Sequence, residues 1–301
     1  MRCLVTGGTG FIGSNLALQL LKDKHDVVIT GAMGEQKIPE VKCLLPSFIG
    51  IDWQAIGKID VLFHQAANND TTLMDRKEMF RANVDSTEEL YKRMIDQGCK
   101  KIIYASSTAI YGDGPAPYKE DQPLKPLNPY AESKVEMEKI AIKMQKQYPD
   151  VLFVGLRYCN VYGPREDHKG KRATMIWQLA QQMQTGIPRI FKHGEQKRDY
   201  IYVKDVVTAN LLAAKAKQIC IVNCGSGETT TFNDIIKLLN HTLGMDKEPE
   251  YFDNPYVGKY QDYTECDMTL AKEMLGFAPK WDIKAGIKDY FESGFLVPKT
   301  I

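Results

Sequence analysis

The chain has 301 residues and a mass of 34.1 kDa, enough for one large domain or two modest ones. A compact fold of that mass buries about 70–75% of the surface its unfolded chain exposes, and with 44% hydrophobic residues disorder is excluded. Lysine and arginine number 39 against 38 aspartates and glutamates, so no global field draws in nucleic acid or a membrane surface. No apolar run nears the roughly 18 residues that span a bilayer, and the N-terminus turns glycine-rich at Gly7 where a signal peptide stays apolar. A cytoplasmic protein is expected. The seven cysteines form no Cys-x-x-Cys pair and read as reduced thiols. The five histidines have no metal-ligand spacing, so no metal is expected.

Along the chain, short β-branched runs at 2–6, 26–30, 47–51, 60–65, 101–106 and 151–157 alternate with helical patterns at 11–24, 75–97 and 130–147. Such alternation predicts an α/β fold, a doubly wound parallel sheet with helices on both faces. Residues 31–46 break the rhythm with Gly31, Gly34, Pro39 and Pro46. After about residue 158 the pattern changes. A charged loop follows over 163–172, then a helix over 173–185, strands near 189–191 and 199–203, a helix over 204–217 and a strand over 219–223. If that last strand rejoins the sheet, 1–158 with about 195–223 form one domain. Residues 159–194 with about 224–301 then form a smaller C-terminal lobe, and two lobes make a cleft for a ligand.

Gly7-Gly8-Thr9-Gly10-Phe11-Ile12-Gly13 follows the first strand and opens an amphipathic helix. Gly7 permits the tight turn, Gly10 the approach of a pyrophosphate and Gly13 close helix–strand packing, while the helix N-terminus offers N–H donors and a positive dipole. In that context the loop predicts a Rossmann-like dinucleotide site. An acidic residue that holds the NAD ribose is missing from Val28-Ile29-Thr30-Gly31, so NADP and NAD both remain open. Asp52 is placed to accept from an adenine amino group, or equally to cap a helix starting at Trp53. Gln65, Ala66 and Ala67 give a cofactor access to the backbone at the end of the fourth strand.

The fifth strand ends at Ser106-Ser107-Thr108, and Tyr130-Ala131-Glu132-Ser133-Lys134 follows on a helix. Residues i and i+4 share a helical face, so Tyr130 and Lys134 act as a unit. A phenol of pKa near 10 is about 0.1% ionised at pH 7, and a lysine ammonium with an oxidised nicotinamide are cations that lower it. Ser107 then holds a substrate hydroxyl while Tyr130 exchanges its proton. A second Tyr-x-x-x-Lys, Tyr200 with Lys204, lies in a strand-like run where such residues do not meet, and it reads as structural.

The glycine loop, Ser107, Tyr130 and Lys134 together resemble the extended short-chain dehydrogenase/reductase family of nucleotide-sugar epimerases. That resemblance covers essentially the whole chain. It implies a tightly bound NADP or NAD that oxidises a sugar carbon transiently to a ketone. It also implies a nucleoside diphosphate sugar held by the smaller lobe, and a homo-oligomer. Asn160 and Arg198 match positions on the nucleotide diphosphate, and Asn83 lies on the nicotinamide side. Dehydratases of the family carry Thr-Asp-Glu where this chain has Ser107-Thr108-Ala109, so dehydration is not expected.

His168-Lys169-Gly170 and Gly258-Lys259-Tyr260-Gln261 resemble the ADP-heptose 6-epimerase branch. There His168 and Tyr260 match substrate contacts and Lys169 a second catalytic base, its alternative role being a phosphate-binding lysine. A 4-epimerase of the UDP-glucose or UDP-glucuronate type, or a reductase, is the alternative within the fold. A non-catalytic dinucleotide sensor is argued against by the intact Ser107, Tyr130 and Lys134.

Overall fold

The computed structural model describes residues 1–31, 38–43, 53–254 and 262–298. Seven strands form one parallel sheet. Six of them are β1 (Arg2–Thr6), β2 (Asp26–Ile29), β3 (Lys42–Cys43), β4 (Val61–His64), β5 (Lys101–Ser107) and β6 (Leu152–Tyr158). Their spatial order is β3-β2-β1-β4-β5-β6, and the Cys220–Cys224 strand pairs with β6 at the far edge, so the chain does return to the sheet. The strand expected over 47–51 lies outside the described residues.

Because successive side chains of a strand point to opposite faces, the sheet fills two cores at once. Cys3 and Val5, Val61 and Phe63, and Ile103 and Ala105 fill one core, with Leu16, Leu20, Val206 and Ala271. Leu4, Leu62, Ile102 and Tyr104 fill the other, with Leu90, Tyr91, Ala141 and Met144. A third core joins the helices Met175–Thr185, Phe232–Leu243 and Ile283–Glu292 through Ile176, Leu179, Ile235, Leu239 and Ile287. Phe11, the first residue of helix α1 (Phe11–Lys22), also belongs to this third core.

Several boundaries differ from the sequence pattern for local reasons. Helix α1 stops at Lys22 because Lys24 takes a left-handed φ of 61° and His25 N turns back to Leu20 O. The stretch 75–97 is helical but broken by a π-turn, Arg81–Asp85, between Arg76–Phe80 and Ser86–Asp96. The strand expected over 199–203 is two short ones, Lys197–Arg198 and Ile201–Tyr202. Between them Asp199 turns inward, fully buried, and accepts from the backbone of Ser226, Gly227 and Cys266. Asn128 caps the helix Pro129–Gln147 by accepting from Ala131 N, with Pro129 preset for the first turn.

His64, at the end of β4, is 1% exposed, with its ring nitrogens on Thr6 Oγ1 (2.7 Å) and Thr87 Oγ1 (2.8 Å). Burial, with the nearby Lys134 ammonium, pushes its pKa down to about 3 from 6.5. The folded pKa lies below the unfolded one, so the unfolded chain binds the extra proton between those values. This contribution to stability is whole above pH 6.5 and falls as pH drops toward 3, by about 1.4 kcal/mol per unit. Urea unfolding at pH 6.5 and 5.5 measures it, and His64→Gln is expected to flatten that slope.

Candidate active site

The strand order reverses between β1 and β4, so their carboxyl ends leave a crevice. The glycine loop spans it. Gly7 has φ +63°, and a Cβ there would lie 2.9 Å from the Ala66 backbone; at Gly13 it would lie 2.1 Å from Gly7 O. No larger residue fits either place. Gly10 is the N-cap of α1, with no side chain capping the helix and no acid in its first turn. The backbone donors at Phe11 and Ile12 and the helix dipole are therefore presented to an incoming anion, and the loop fits a dinucleotide pyrophosphate.

Phe11, Ile12, Gln65 and Ala67 line a cleft of about 630 Å³ that also takes in Ser107, Tyr130 and Lys134. Ser107 ends β5, and its Oγ accepts from Ala109 N at 3.2 Å. Tyr130 stands in the first turn of the Pro129–Gln147 helix. Burial holds its phenol above the ordinary value, and a hydrogen bond with Ser107 opposes that shift. Lys134, 2% exposed, sits one turn further on, its Nζ 5.8 Å from the Tyr130 ring centre and 2.8 Å from Ala105 O, to which it donates. Burial pushes its pKa down to about 8, while Glu138 works the other way.

The remaining wall comes from later in the chain: Asn160, Lys169, Arg172, Arg198, Phe232 and Thr264. Lys169 lies in the short helix Asp167–Arg172, its Nζ 5.4 Å from the centre of the Phe11 ring. Burial lowers its pKa, and Glu166 opposes. Glu166 is fully buried and accepts from Gly163 N, Thr174 N and Thr174 Oγ1.

The other sequence candidates sit as follows. The Gln65 side chain is engaged in a closed triangle with Asn210 (3.0 Å) and Tyr158 (3.0 Å), themselves joined at 2.8 Å. Thr9 is buried against Gly31, where a Cβ would come within 1.8 Å of its hydroxyl. Asn83 is buried in the π-turn, away from the cleft lining. It accepts from Asn68 N and donates to Asn68 O and Ser133 Oγ, so it braces the loop after β4 against the Tyr130 helix. Asn160 donates to Asp199 O and Thr264 Oγ1. Trp53 packs on the sheet core and His168 stays off the cleft lining. Asp52 and Tyr260 lie outside the described residues.

Tyr200 and Lys204 do not form a unit. Lys204 pairs with Asp289 at 2.8 Å, while Tyr200 lines the cleft. Cys159, Asp199 and Cys266 also approach one another beneath the cleft, but the carboxylate of Asp199 already accepts from four donors on Ser226, Gly227 and Cys266. Phe232 and Thr264 are cleft residues the sequence did not single out, and they come from distant segments; Tyr200, read as structural from the sequence, lines the cleft as well.

Comparison with known proteins agrees with this geometry. Residues 3–225 match the model of the NAD dependent epimerase/dehydratase family. An ADP-L-glycero-D-manno-heptose-6-epimerase from Alkalilimnicola ehrlichii is 32% identical over 96% of both chains. A UDP-glucose 4-epimerase from Thermotoga maritima, solved with UDP-glucose, superposes with a TM-score of 0.88 at 32% identity, covering 97% of this chain and 99% of that one. A UDP-glucuronic acid 4-epimerase from Bacillus cereus, solved with UDP-glucuronic acid and NAD, has a TM-score of 0.84 at 25% identity, covering 97% and 99%.

Proposed function

The chain belongs to the NAD dependent epimerase/dehydratase family, and on that premise we propose that it inverts one carbon of a nucleoside diphosphate sugar with Tyr130 and Lys169 handling the protons. The observation that carries this reading is the single cleft. It is lined at once by the glycine loop, by Ser107, Tyr130 and Lys134, and by Lys169 and Arg198 from the later part of the chain. Bound NAD supplies a hydride acceptor, a positive charge and the return of that hydride, so the reaction has no net redox change. Phe11 and Ile12 would hold its pyrophosphate through their backbone, with Ala66 and Ala67 leaving room beside them.

The chain's own residues do the rest. Ser107 holds the sugar oxygen, and Tyr130 takes or returns its proton. Lys134 keeps the helix face against Ala105 O. Arg198, 7% exposed on the cleft wall, suits a diphosphate. Lys169 serves the sugar in its inverted orientation. Burial biases its ammonium toward the neutral amine, which is the form a base requires. His168-Lys169-Gly170 favours a heptose 6-epimerase. The second reading is a 4-epimerase, since the Thermotoga maritima enzyme is as similar in sequence as the heptose enzyme.

The purified protein is expected to release a nicotinamide dinucleotide on denaturation, read by chromatography of the supernatant. Absence of dinucleotide, with none bound on addition, would sink the enzyme reading. Tyr130→Phe is expected to keep the cofactor and lose about 10²–10⁴ in turnover, the usual worth of a placed acid or base. Full activity in that variant removes Tyr130 from the chemistry.

Lys169→Met separates the two roles of the lysine. As a second base, its loss leaves a half-reaction from one epimer, seen as sugar oxidation with reduced dinucleotide, and stops epimerisation. As a phosphate ligand only, its loss raises KM for both epimers and leaves kcat intact. Saturation kinetics on each epimer, over a panel of ADP and UDP sugars, decides between these.

A further inference from the structure

The Pro129–Gln147 helix carries another buried ionisable residue one turn beyond Lys134. Glu138 is 3% exposed and both its oxygens are engaged. Oε1 accepts from Ser106 Oγ at 2.6 Å and Arg157 Nε at 2.9 Å, and Oε2 accepts from Arg157 Nη2 at 2.8 Å. Arg157, 5% exposed, also donates to Tyr111 Oη (2.8 Å) and Glu120 O (3.0 Å). Tyr111 in turn donates to Asn223 Oδ1 at 2.7 Å, so the network reaches the sheet's edge strand.

A buried ion pair is weak as a device for stability, because well-packed apolar side chains do as well without the desolvation cost. What apolar packing cannot supply is a fixed strand end and a local negative charge. Ser106 stands between Ala105, whose carbonyl receives the Lys134 ammonium, and Ser107. One carboxylate therefore grips the residue that separates the carbonyl holding Lys134 from the serine that bonds Tyr130.

We propose that Glu138 is a positioning residue for the reaction: clamped by Arg157, it fixes the Ala105-Ser106-Ser107 strand end against the Tyr130 helix and supplies the counter-charge that keeps Lys134 an ammonium in its dry site. This rests on the catalytic reading of Ser107, Tyr130 and Lys134.

The groups around Lys134 are few. On its own helix it meets Tyr130 and Glu138, on β4 the neutral His64, and on β5 the Ala105 carbonyl, while Arg157 of β6 is bound to the same carboxylate. Glu138 is the anion that acts on it among the described residues. Burial lowers the lysine and Glu138 raises it, so removing the anion must move the loss of its proton to lower pH.

Glu138→Gln removes the charge and keeps the shape. Two readings are taken from the holoenzyme: kcat against pH, and the titration of Lys134 followed by NMR of ¹³Cε-labelled lysine. The alkaline midpoint of kcat and the Lys134 titration are both expected to fall by about one pH unit, a tenfold change in the ammonium's proton affinity, with KM little changed. Glu138→Asp is expected to restore part of the shift.

If Glu138→Gln does not fold, Ser106→Ala tests the clamp alone. It is expected to lower kcat several-fold without moving the alkaline midpoint. An unshifted Lys134 titration in folded Glu138→Gln, or wild-type kcat in Ser106→Ala, overturns the proposal. The titration needs no substrate. A wild-type protein inactive on every nucleotide sugar would therefore sink the functional reading while leaving this measurement to judge Glu138.

Discussion

The constraint on which the site depends is an ammonium group buried at the carboxyl edge of a parallel sheet. Lys134 is 2% exposed, and burial costs its charged form enough to bring its pKa to about 8. A charge in such a place has to be met by carbonyls and a carboxylate, and the fold offers both. Parallel strands end together, so β4, β5 and β6 bring Ala105 O, His64 and Arg157 to one edge, and Arg157 holds the carboxylate of Glu138 there. His64 stays neutral partly because Lys134 is charged. The hydrogen bonds of Ser106, Tyr111 and Asn223 then follow as the satisfaction of polar groups that this charge brought inside.

Most of the sheet, both of its covers and the glycine loop were legible because they rest on local rules, whereas the two-residue edge strand β3 lies in a stretch that reads as a break. Alternation of β-branched runs with helical periods needs no long-range information, and Gly7 and Gly13 occupy places where any Cβ collides. Ser107, Tyr130 and Lys134 were legible because two of them share a helical face and the third ends a strand. Tertiary packing decided the rest. Asn83, expected on the nicotinamide side, is carried by the π-turn under the loop after β4, a placement that its helical pattern does not reveal. The break at Asp199 was hidden because its partners lie 27 residues or more away. Glu138 and Arg157 are ordinary charges in a sequence, and nothing local announces that both are buried.

A second lysine repeats the first arrangement in a different part of the chain. Lys169 is lowered by burial and raised by Glu166, as Lys134 is lowered by burial and raised by Glu138. The carboxylates are fixed by different means, Glu138 by a guanidinium and a serine, Glu166 by the backbone of Gly163 and Thr174 and by the Thr174 hydroxyl. The consequence differs accordingly. Glu138 shares its charge with Arg157, whereas Glu166 is met by neutral donors on Gly163 and Thr174, and burial raises its own pKa. Each buried carboxylate thus opposes the effect of burial on its own lysine.

Phe11 links these two arrangements. Its backbone opens helix α1 at the glycine loop, its ring is 5.4 Å from the Lys169 ammonium, and its side chain belongs to the core built by the later helices. The ring is a poor hydrogen-bond partner but a favourable surface for a cation, so it steadies Lys169 without satisfying it. Lys169 lines the same cleft as Tyr130. One aromatic residue thus ties the position of the second lysine to the glycine loop. Any movement of the later segments relative to the sheet has to carry Lys169 and Phe11 together or break the contact between them.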